Sequence, residues 1–133
     1  MTEPHQLTEL QIAIMRILWE RKEATVADIH AALLDERGLA PTTVATLLSR
    51  LEKRGAVKHL TEARQYVYYP VISEEDVRSS MVADLTDQLF DGDVAELVSH
   101  LLRAQDISPD DLEKVKELIA THEAGSEVSN DHR

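Results

Sequence analysis

Hydrophobic residues recur at helical spacing through the first third of the chain and then change to an alternating period. The apolar positions predict three helices, which begin at Thr8, Thr25 and Pro41. Thr8 and Thr25 are good N-cap residues, and proline suits a first helical position because its missing N–H would be unpaired there. Runs rich in Val, Tyr and Thr at 57–61 and 65–70 then predict the two strands of a hairpin.

This order of three helices and a hairpin is that of a winged helix-turn-helix, in which the third helix is the recognition helix. The predicted fold class is therefore mainly α with a small β-hairpin wing. Residues 1–72 would form a winged-helix DNA-binding domain, and the wing tip lies near Glu62–Arg64.

The segment 73–123 is acidic and predicts three more helices, each with one apolar stripe. Such a thin segment cannot enclose a core of its own, so burial against a second copy is the economical solution, and packing back onto the same chain is the weaker alternative. Residues 124–133 are polar without a period and predict a disordered tail. The predicted dimerisation residues are Val77, Met81, Leu85, Leu89, Leu97, Val98, Leu101, Leu102, Leu112, Val115, Leu118 and Ile119.

Charge is unevenly distributed along the chain, whose net charge is −11. Residues 37–64 hold six basic residues against two acidic ones, a net charge of +4 within an otherwise acidic protein. This segment fits double-stranded DNA as a partner, and chance fluctuation on a solvated surface is the alternative. The chain has no cysteine. It also lacks an apolar run long enough to span a membrane, so we expect a cytoplasmic protein without membrane insertion.

The third helix has an apolar stripe on one side and short polar or basic side chains on the other. Hydroxyl groups can bond to base edges or phosphates, a threonine methyl can touch a thymine methyl, and Arg50 and Lys53 can reach guanine or the backbone. For Thr42 and Thr43 a helix-start role is equally consistent with the sequence. For Arg64 at the wing tip the alternative to a DNA contact is an ordinary turn charge. The predicted DNA-binding residues are Thr42, Thr43, Thr46, Ser49, Arg50, Lys53 and Arg64.

Catalytic signals are missing from the sequence. The six histidines show no ligand spacing, and neither a phosphate loop nor a nucleophile motif occurs. We therefore expect a protein that is not an enzyme and that holds neither a cofactor nor a metal.

The chain resembles the penicillinase-repressor (BlaI/MecI/CopY) family of winged-helix transcriptional regulators over about residues 7–120. The resemblance rests on many spaced positions that agree in order. They are Leu7 to Gln11, Ile14-Met15, Leu18-Trp19, Ala24-Thr25-Val26, Ile29-His30, Thr42-Thr43-Val44, Thr46-Leu47-Leu48, Arg50-Leu51, Lys53-Arg54-Gly55, Tyr66-Val67-Tyr68, Pro70, Leu85, Leu89-Phe90, Leu97-Val98 and Asp106-Ile107-Ser108.

The resemblance implies a homodimeric repressor bound to a dyad operator that controls resistance or stress genes. It also implies a membrane-bound sensor metalloprotease as a partner, which would cleave near His100-Leu101, where the best-known members have Asn in place of His100. Copper sensing through paired cysteines does not fit a chain without cysteine. The alternative functions are a winged helix that senses a small ligand and one that binds another protein.

Overall fold

Side-chain caps set the starts of the first two helices, as the sequence predicts. The computed structural model of the chain describes residues 5–104 and 106–131. Helix α1 spans Glu9–Arg21, α2 spans Val26–Arg37 and α3 spans Pro41–Lys53. Thr8 and Thr25 both form capping boxes, in which each hydroxyl accepts the N–H of the third helical residue. Helix α3 has no side-chain cap and begins directly with its proline.

The wing is an antiparallel hairpin of strands β2 (Val57–Glu62) and β3 (Gln65–Pro70). Its two-residue turn holds Ala63 at φ 49° and Arg64 at φ 65°, the left-handed values that a type I′ turn requires. A further strand, β1 (Ala24–Thr25), pairs with β3, so that the sheet order is β1–β3–β2. The sequence does not predict β1, because two residues are too few to show an alternating period.

The core lies between the three helices and the sheet. Helix α3 contributes the predicted stripe, with Val44, Leu48 and Leu51 fully buried. Trp19 anchors the end of α1, because its ring Nε1–H donates to the carbonyl of Ile72 at 2.9 Å. The other buried apolar residues of this core are Leu7, Ile14, Met15, Leu18, Ala24, Ile29, Leu33, Leu47, Ala56, Val57, Tyr68, Ile72 and Val77.

Three more helices follow, as predicted: α4 (Glu74–Phe90), α5 (Val94–Ala104) and α6 (Pro109–Asp131). The side chains of Ser73, Asp93 and Ser108 accept backbone N–H groups at the three helix starts. The predicted disordered tail over 124–133 differs from the structure, in which α6 continues to Asp131. No proline interrupts this segment, and the one interior glycine, Gly125, costs a helix only about 1 kcal/mol relative to alanine. Residues 132–133 lie outside the described residues.

The chain divides by packing into a first unit, Met1–Gln88, and a second unit, Leu89–Arg133. This packing boundary lies further along the chain than the predicted functional boundary after residue 72, because the start of α4 packs with the helices before it. Val77 is only 4% exposed within the core of the first unit, and Met81 packs against that core. Both residues already contribute to packing within their own chain, and their role in dimerisation stays a prediction.

The second unit buries little of its apolar surface in a single chain. No residue of α5, which is described throughout, is buried. Leu97 and Val115 are half-buried. Exposed apolar side chains follow the predicted stripes: Leu89, Val94, Val98, Leu101, Leu102, Leu112, Leu118 and Ile119. Among residues 5–104 and 106–131, no helix combines the length and the apolar character that crossing a lipid bilayer requires.

Candidate nucleic-acid interface

Helix α3 presents the six predicted contact residues to solvent. Successive residues are rotated by about 100° in a helix, so positions 42, 46, 49, 50 and 53 fall on one side. The buried leucines at 47, 48 and 51 fall on the other side and hold the helix against the core. Proline at the first position and Gly55 (φ 83°) just after the C-cap set the ends of this surface. The exposed residues are Thr42, Thr43, Thr46, Ser49, Arg50 and Lys53.

The hydroxyl of Thr46 is already committed to the helix. Its Oγ1 donates to the carbonyl oxygen of Thr42 at 2.9 Å, one turn earlier. A hydroxyl has one hydrogen to donate, so Thr46 keeps only its acceptor lone pairs and its methyl group for another molecule. Of the DNA contacts that the sequence predicts for Thr46, those in which its hydroxyl would donate a hydrogen bond are therefore not available.

Two of the six basic residues in segment 37–64 are used inside the protein. The guanidinium of Arg37 pairs with Glu9 at 2.9 Å. Arg54 donates to the side chain of Gln11 at 3.1 Å and to the backbone carbonyl of Gln6, so it ties the end of α3 to the start of α1. The charge of Arg37 is therefore offset by Glu9, and the side chain of Arg54 is engaged within the protein, so the exposed cations of this segment are the other four.

The exposed cations lie on α3 and on the wing. Arg50 and Lys53 are exposed on α3, and Arg64 is exposed in the wing turn. Lys58 lies on the face of the wing opposite to that of its neighbour in sequence, His59, and the strand register places it beside Tyr69. Arg64 and Tyr66 line a shallow surface depression of about 330 Å³ together with Thr25, the N-cap of α2.

The carboxylate of Glu52 links α3 to the wing, a contact that the sequence does not predict. Both carboxylate oxygens of Glu52 lie near ring Nδ1 of His59, at 2.7 and 2.8 Å, and Oε2 also accepts the backbone N–H of His59 at 3.2 Å. The ring of His59 stacks on Tyr66 with centroids 4.1 Å apart and an interplanar angle of 20°. A Glu-to-His spacing of seven residues across a helix end is not a pattern that a sequence motif records.

Tyr66 and Tyr68 lie with His59 on one face of the wing, and Tyr69 lies on the other. His59 and Tyr68 are cross-strand partners, as are Lys58 and Tyr69. Burial raises the pKa of Tyr68 above its usual 10.0, and the nearby charge of Glu52 adds to the shift. A hydrogen bond to Glu23 raises the pKa of Tyr69. Both phenols therefore resist ionisation while the domain is folded.

The candidate cleavage bond lies inside α5. His100 and Leu101 are both exposed, and the His100 ring lies 5.8 Å from that of Phe90. A backbone held in a helix must unwind locally before a protease can bind it in extended form. Over the part of the chain that the structure describes, no three His, Asp or Glu side chains are grouped so as to hold a metal ion.

The three helices, the wing and the polar outer face of α3 define a winged-helix DNA-binding domain. Comparison with known sequences places the chain more narrowly. It belongs to the penicillinase repressor family, which matches residues 7–121. The chain is therefore a DNA-binding transcriptional repressor and not an enzyme, since the family consists of repressors.

Relatives of the chain include two curated regulators and one solved structure. Transcriptional regulator BlaI of Mycobacterium tuberculosis is 32% identical over 122 residues, which cover 90% of this chain and 87% of that protein. Methicillin resistance regulatory protein MecI of Mammaliicoccus sciuri is 23% identical over 115 residues, with coverage of 86% and 94%. The solution structure of the DNA-binding domain of the repressor BlaI matches with a TM-score of 0.51 at 30% identity, and covers 57% of this chain and 93% of that one.

Proposed function

We propose that the protein represses transcription as a homodimer on a dyad operator. The observation that carries this proposal is the outer face of α3, where short polar and basic side chains lie opposite a buried leucine stripe. Each copy would lay this face in the major groove and its wing tip along the backbone. The two copies would read half-sites about one helical turn apart.

The specific contacts are proposed to come from Thr42, Thr43, Thr46, Ser49 and Arg50. Lys53 and Arg64 would contact phosphates. Both cations are exposed, and neither side chain makes a hydrogen bond or an ion pair with another described residue. Backbone contacts supply affinity that falls with salt, whereas base contacts supply selectivity.

Binding to the promoter of its own gene across a salt series tests the proposal. With four phosphate contacts per dimer, from Lys53 and Arg64 of each copy, affinity should fall roughly a hundredfold between 50 and 200 mM salt. Footprinting should show two protected half-sites related by a dyad. Absence of the dyad footprint, or affinity that does not change with salt, would refute the proposal.

The substitution Arg50→Ala tests whether Arg50 contacts a base or only the phosphate backbone. We expect a loss of about 1–3 kcal/mol on the operator and a smaller loss on random DNA. Arg37→Ala is a matched control, because the Arg37 guanidinium already pairs with Glu9 at 2.9 Å. Equal losses on both DNAs for Arg50→Ala would make Arg50 a phosphate contact.

The dimer contact is proposed to lie on the second unit. Its exposed apolar residues, Leu118 at 69% among them, would be buried against the same residues of another copy. Burial of apolar area at about 25 cal/mol per Å² supplies the driving force. The proposed location of the protein is the cytoplasm, where its DNA partner would be.

The proposed release step is cleavage at the bond between His100 and Leu101 by a membrane-bound sensor metalloprotease. Cutting there would separate α6 and the end of α5 from the DNA-binding domain. Mass spectrometry of the protein from induced cells should then find a fragment that ends at residue 100. Induction that leaves the full-length protein intact would exclude this step.

Small-molecule sensing is a second candidate function, favoured by a groove of about 240 Å³ between α1 and α4. Trp19, Val77 and Met81 give it an apolar wall, Arg16 offers positive charge, and Arg78 is paired with Glu74 of the same groove at 3.2 Å. Trp19 is the only tryptophan of the chain, so its fluorescence reports directly on this groove. Saturable quenching by a small aromatic carboxylate such as benzoate, lost in Arg16→Gln but not in Arg103→Gln, would support sensing. Quenching that stays linear would exclude this ligand class.

A further inference from the structure

The outer half of the wing has little support from the sheet. Strand β1 pairs with β3 only at Val67 and Tyr68, so the hairpin beyond Val67 has no third strand beside it. A two-stranded ribbon by itself is at best marginally stable and can bend. The turn that carries Arg64 lies at the far end of this ribbon. Something other than strand pairing must therefore fix the direction in which Arg64 points.

Glu52 supplies such a link from the helix side. Its carboxylate binds His59 twice, through the backbone N–H at 3.2 Å and through ring Nδ1 at 2.7 Å. Both side chains are about two-thirds buried, with exposures of 32% for Glu52 and 29% for His59. Partial burial and the charge of the carboxylate make these hydrogen bonds stronger than a neutral surface bond.

The His59 ring carries the link onward to the outer wing. It stacks on Tyr66 of β3 at 4.1 Å, and Tyr66 also meets the edge of Tyr68 at a centroid distance of 6.4 Å. Tyr66 stands two residues from Arg64. The chain of contacts thus runs from the recognition helix through both strands almost to the turn. Tyr66 is nevertheless 53% exposed, so it contributes little to the core.

We propose that Glu52, His59 and Tyr66 form a clamp that holds the wing at a fixed angle to α3, so that Arg64 meets the DNA backbone while α3 occupies the major groove. The clamp rests on the proposed function, because it positions the two surfaces that would contact DNA. None of its members needs to touch DNA itself. They are positioning residues for Arg64.

A double-mutant cycle between Glu52 and Arg64 tests the clamp. In the otherwise unchanged protein, Arg64→Ala should weaken operator binding about tenfold, because each copy of the dimer loses one phosphate contact. Glu52→Ala should weaken it to a similar extent. In the Glu52→Ala background, Arg64→Ala should cost less than about twofold, because the guanidinium is no longer held in place. Additive losses would overturn the clamp.

Three further measurements separate positioning from a general loss of structure. Arg50→Ala should keep its full effect in the Glu52→Ala background, since α3 remains in its groove. Hydroxyl-radical footprinting should lose protection only where the wing lies. Glu9→Ala, which breaks the ion pair with Arg37 in the same unit, is the matched control and should leave the Arg64→Ala effect unchanged.

Tyr66→Leu provides the same test from the wing side. Because the Tyr66 side chain is exposed, we expect this variant to fold. It should also remove most of the Arg64→Ala effect, and it carries the test if Glu52→Ala does not fold. An Arg64→Ala effect that persists in the Tyr66→Leu background overturns the clamp. If neither Arg50→Ala nor Arg64→Ala changes operator binding in the unchanged protein, the proposed function itself fails. If both substitutions weaken binding, but the losses from Arg64→Ala and Glu52→Ala simply add, only the clamp is overturned.

Discussion

Thr46 shows how one hydrogen bond limits what a side chain can recognise. Since its only hydroxyl hydrogen is donated to Thr42 at 2.9 Å, it can present a methyl group or an acceptor but not a donor. The sequence predicts Thr46 as a contact residue, and this remains a prediction. The internal bond could not be predicted, because a mid-helix threonine adopts its rotamer only once the helix exists.

We predict that Thr46 contributes through its methyl group. Thr46→Val keeps that methyl and should bind the operator within about twofold, whereas Thr46→Ser loses it and should bind about fivefold more weakly. The measurement is operator affinity by fluorescence anisotropy, repeated on an operator with uracil in place of thymine. Uracil lacks the methyl, so the difference between the two variants should then disappear. A loss for Thr46→Val as large as that for Thr46→Ser would instead assign the contribution to the hydroxyl.

Tyr68 should make the stability of the folded protein fall at alkaline pH. Because burial raises its pKa above 10.0 in the folded protein, the unfolded chain loses the phenol proton first as the pH rises. Stability from this group is complete below the unfolded pKa and falls as the pH rises from about 10 through the folded pKa. Urea denaturation of the full chain at about pH 8 and at about pH 11 should show a larger alkaline loss for the unchanged protein than for Tyr68→Phe. Equal losses would show that Tyr68 is not responsible.

At the level of elements, the sequence predicted the helices and the hairpin strands well because each carries its own signals. Caps at Thr8 and Thr25, proline at position 41 and the alternation of 57–61 and 65–70 act over a few residues. What could not be predicted depends on tertiary partners. Strand β1 exists because Ala24 and Thr25 meet β3, and the Glu52–His59 bond exists because β2 turns back along α3.

The wing turn offers a stabilising change. Ala63 has φ 49°, a left-handed value that costs a residue with a Cβ roughly 1–2 kcal/mol, whereas asparagine is favoured at the first position of a type I′ turn. Ala63→Asn should therefore raise the free energy of unfolding by about 0.5–1 kcal/mol, measured as a shift of the urea midpoint.

A helical alanine provides the control for this turn substitution. Ala83→Gly, inside α4, should lower stability by about 1 kcal/mol, since glycine is costly in a helix. If Ala63→Asn also lowered stability, the turn would not be of the left-handed type in solution.

At the scale of the whole molecule, the predicted dimer concerns the second unit, whose leucines lie exposed in one chain. We predict that Leu101→Glu and Leu118→Glu together convert a dimer into a monomer, because two charges per copy would have to be buried without partners. Sedimentation equilibrium measures the mass. Leu34→Glu, at a leucine of α2 that is 50% exposed, is the matched control and should leave the dimer intact.

The same pair of substitutions should lower affinity for the dyad operator while affinity for an isolated half-site stays the same. A double variant that remains dimeric would place the contact elsewhere.

The sequence predicted most of this surface from its helical stripes, but it could not tell Val77 and Met81 from the rest. The period of a stripe says which side of α4 is apolar, not what covers it, and the first unit covers these two.

Helix α4 starts within the core of the first unit, and the candidate cleavage bond lies well beyond it, in α5. A cut there would leave the operator-reading part whole, with every core side chain in place. De-repression would then come from lost valency, since two linked readers gain an effective concentration that a single reader lacks. The shortened product would stay a weak competitor for the same half-sites, so that clearing it from the cell, and not the cut alone, would set how long the genes remain on.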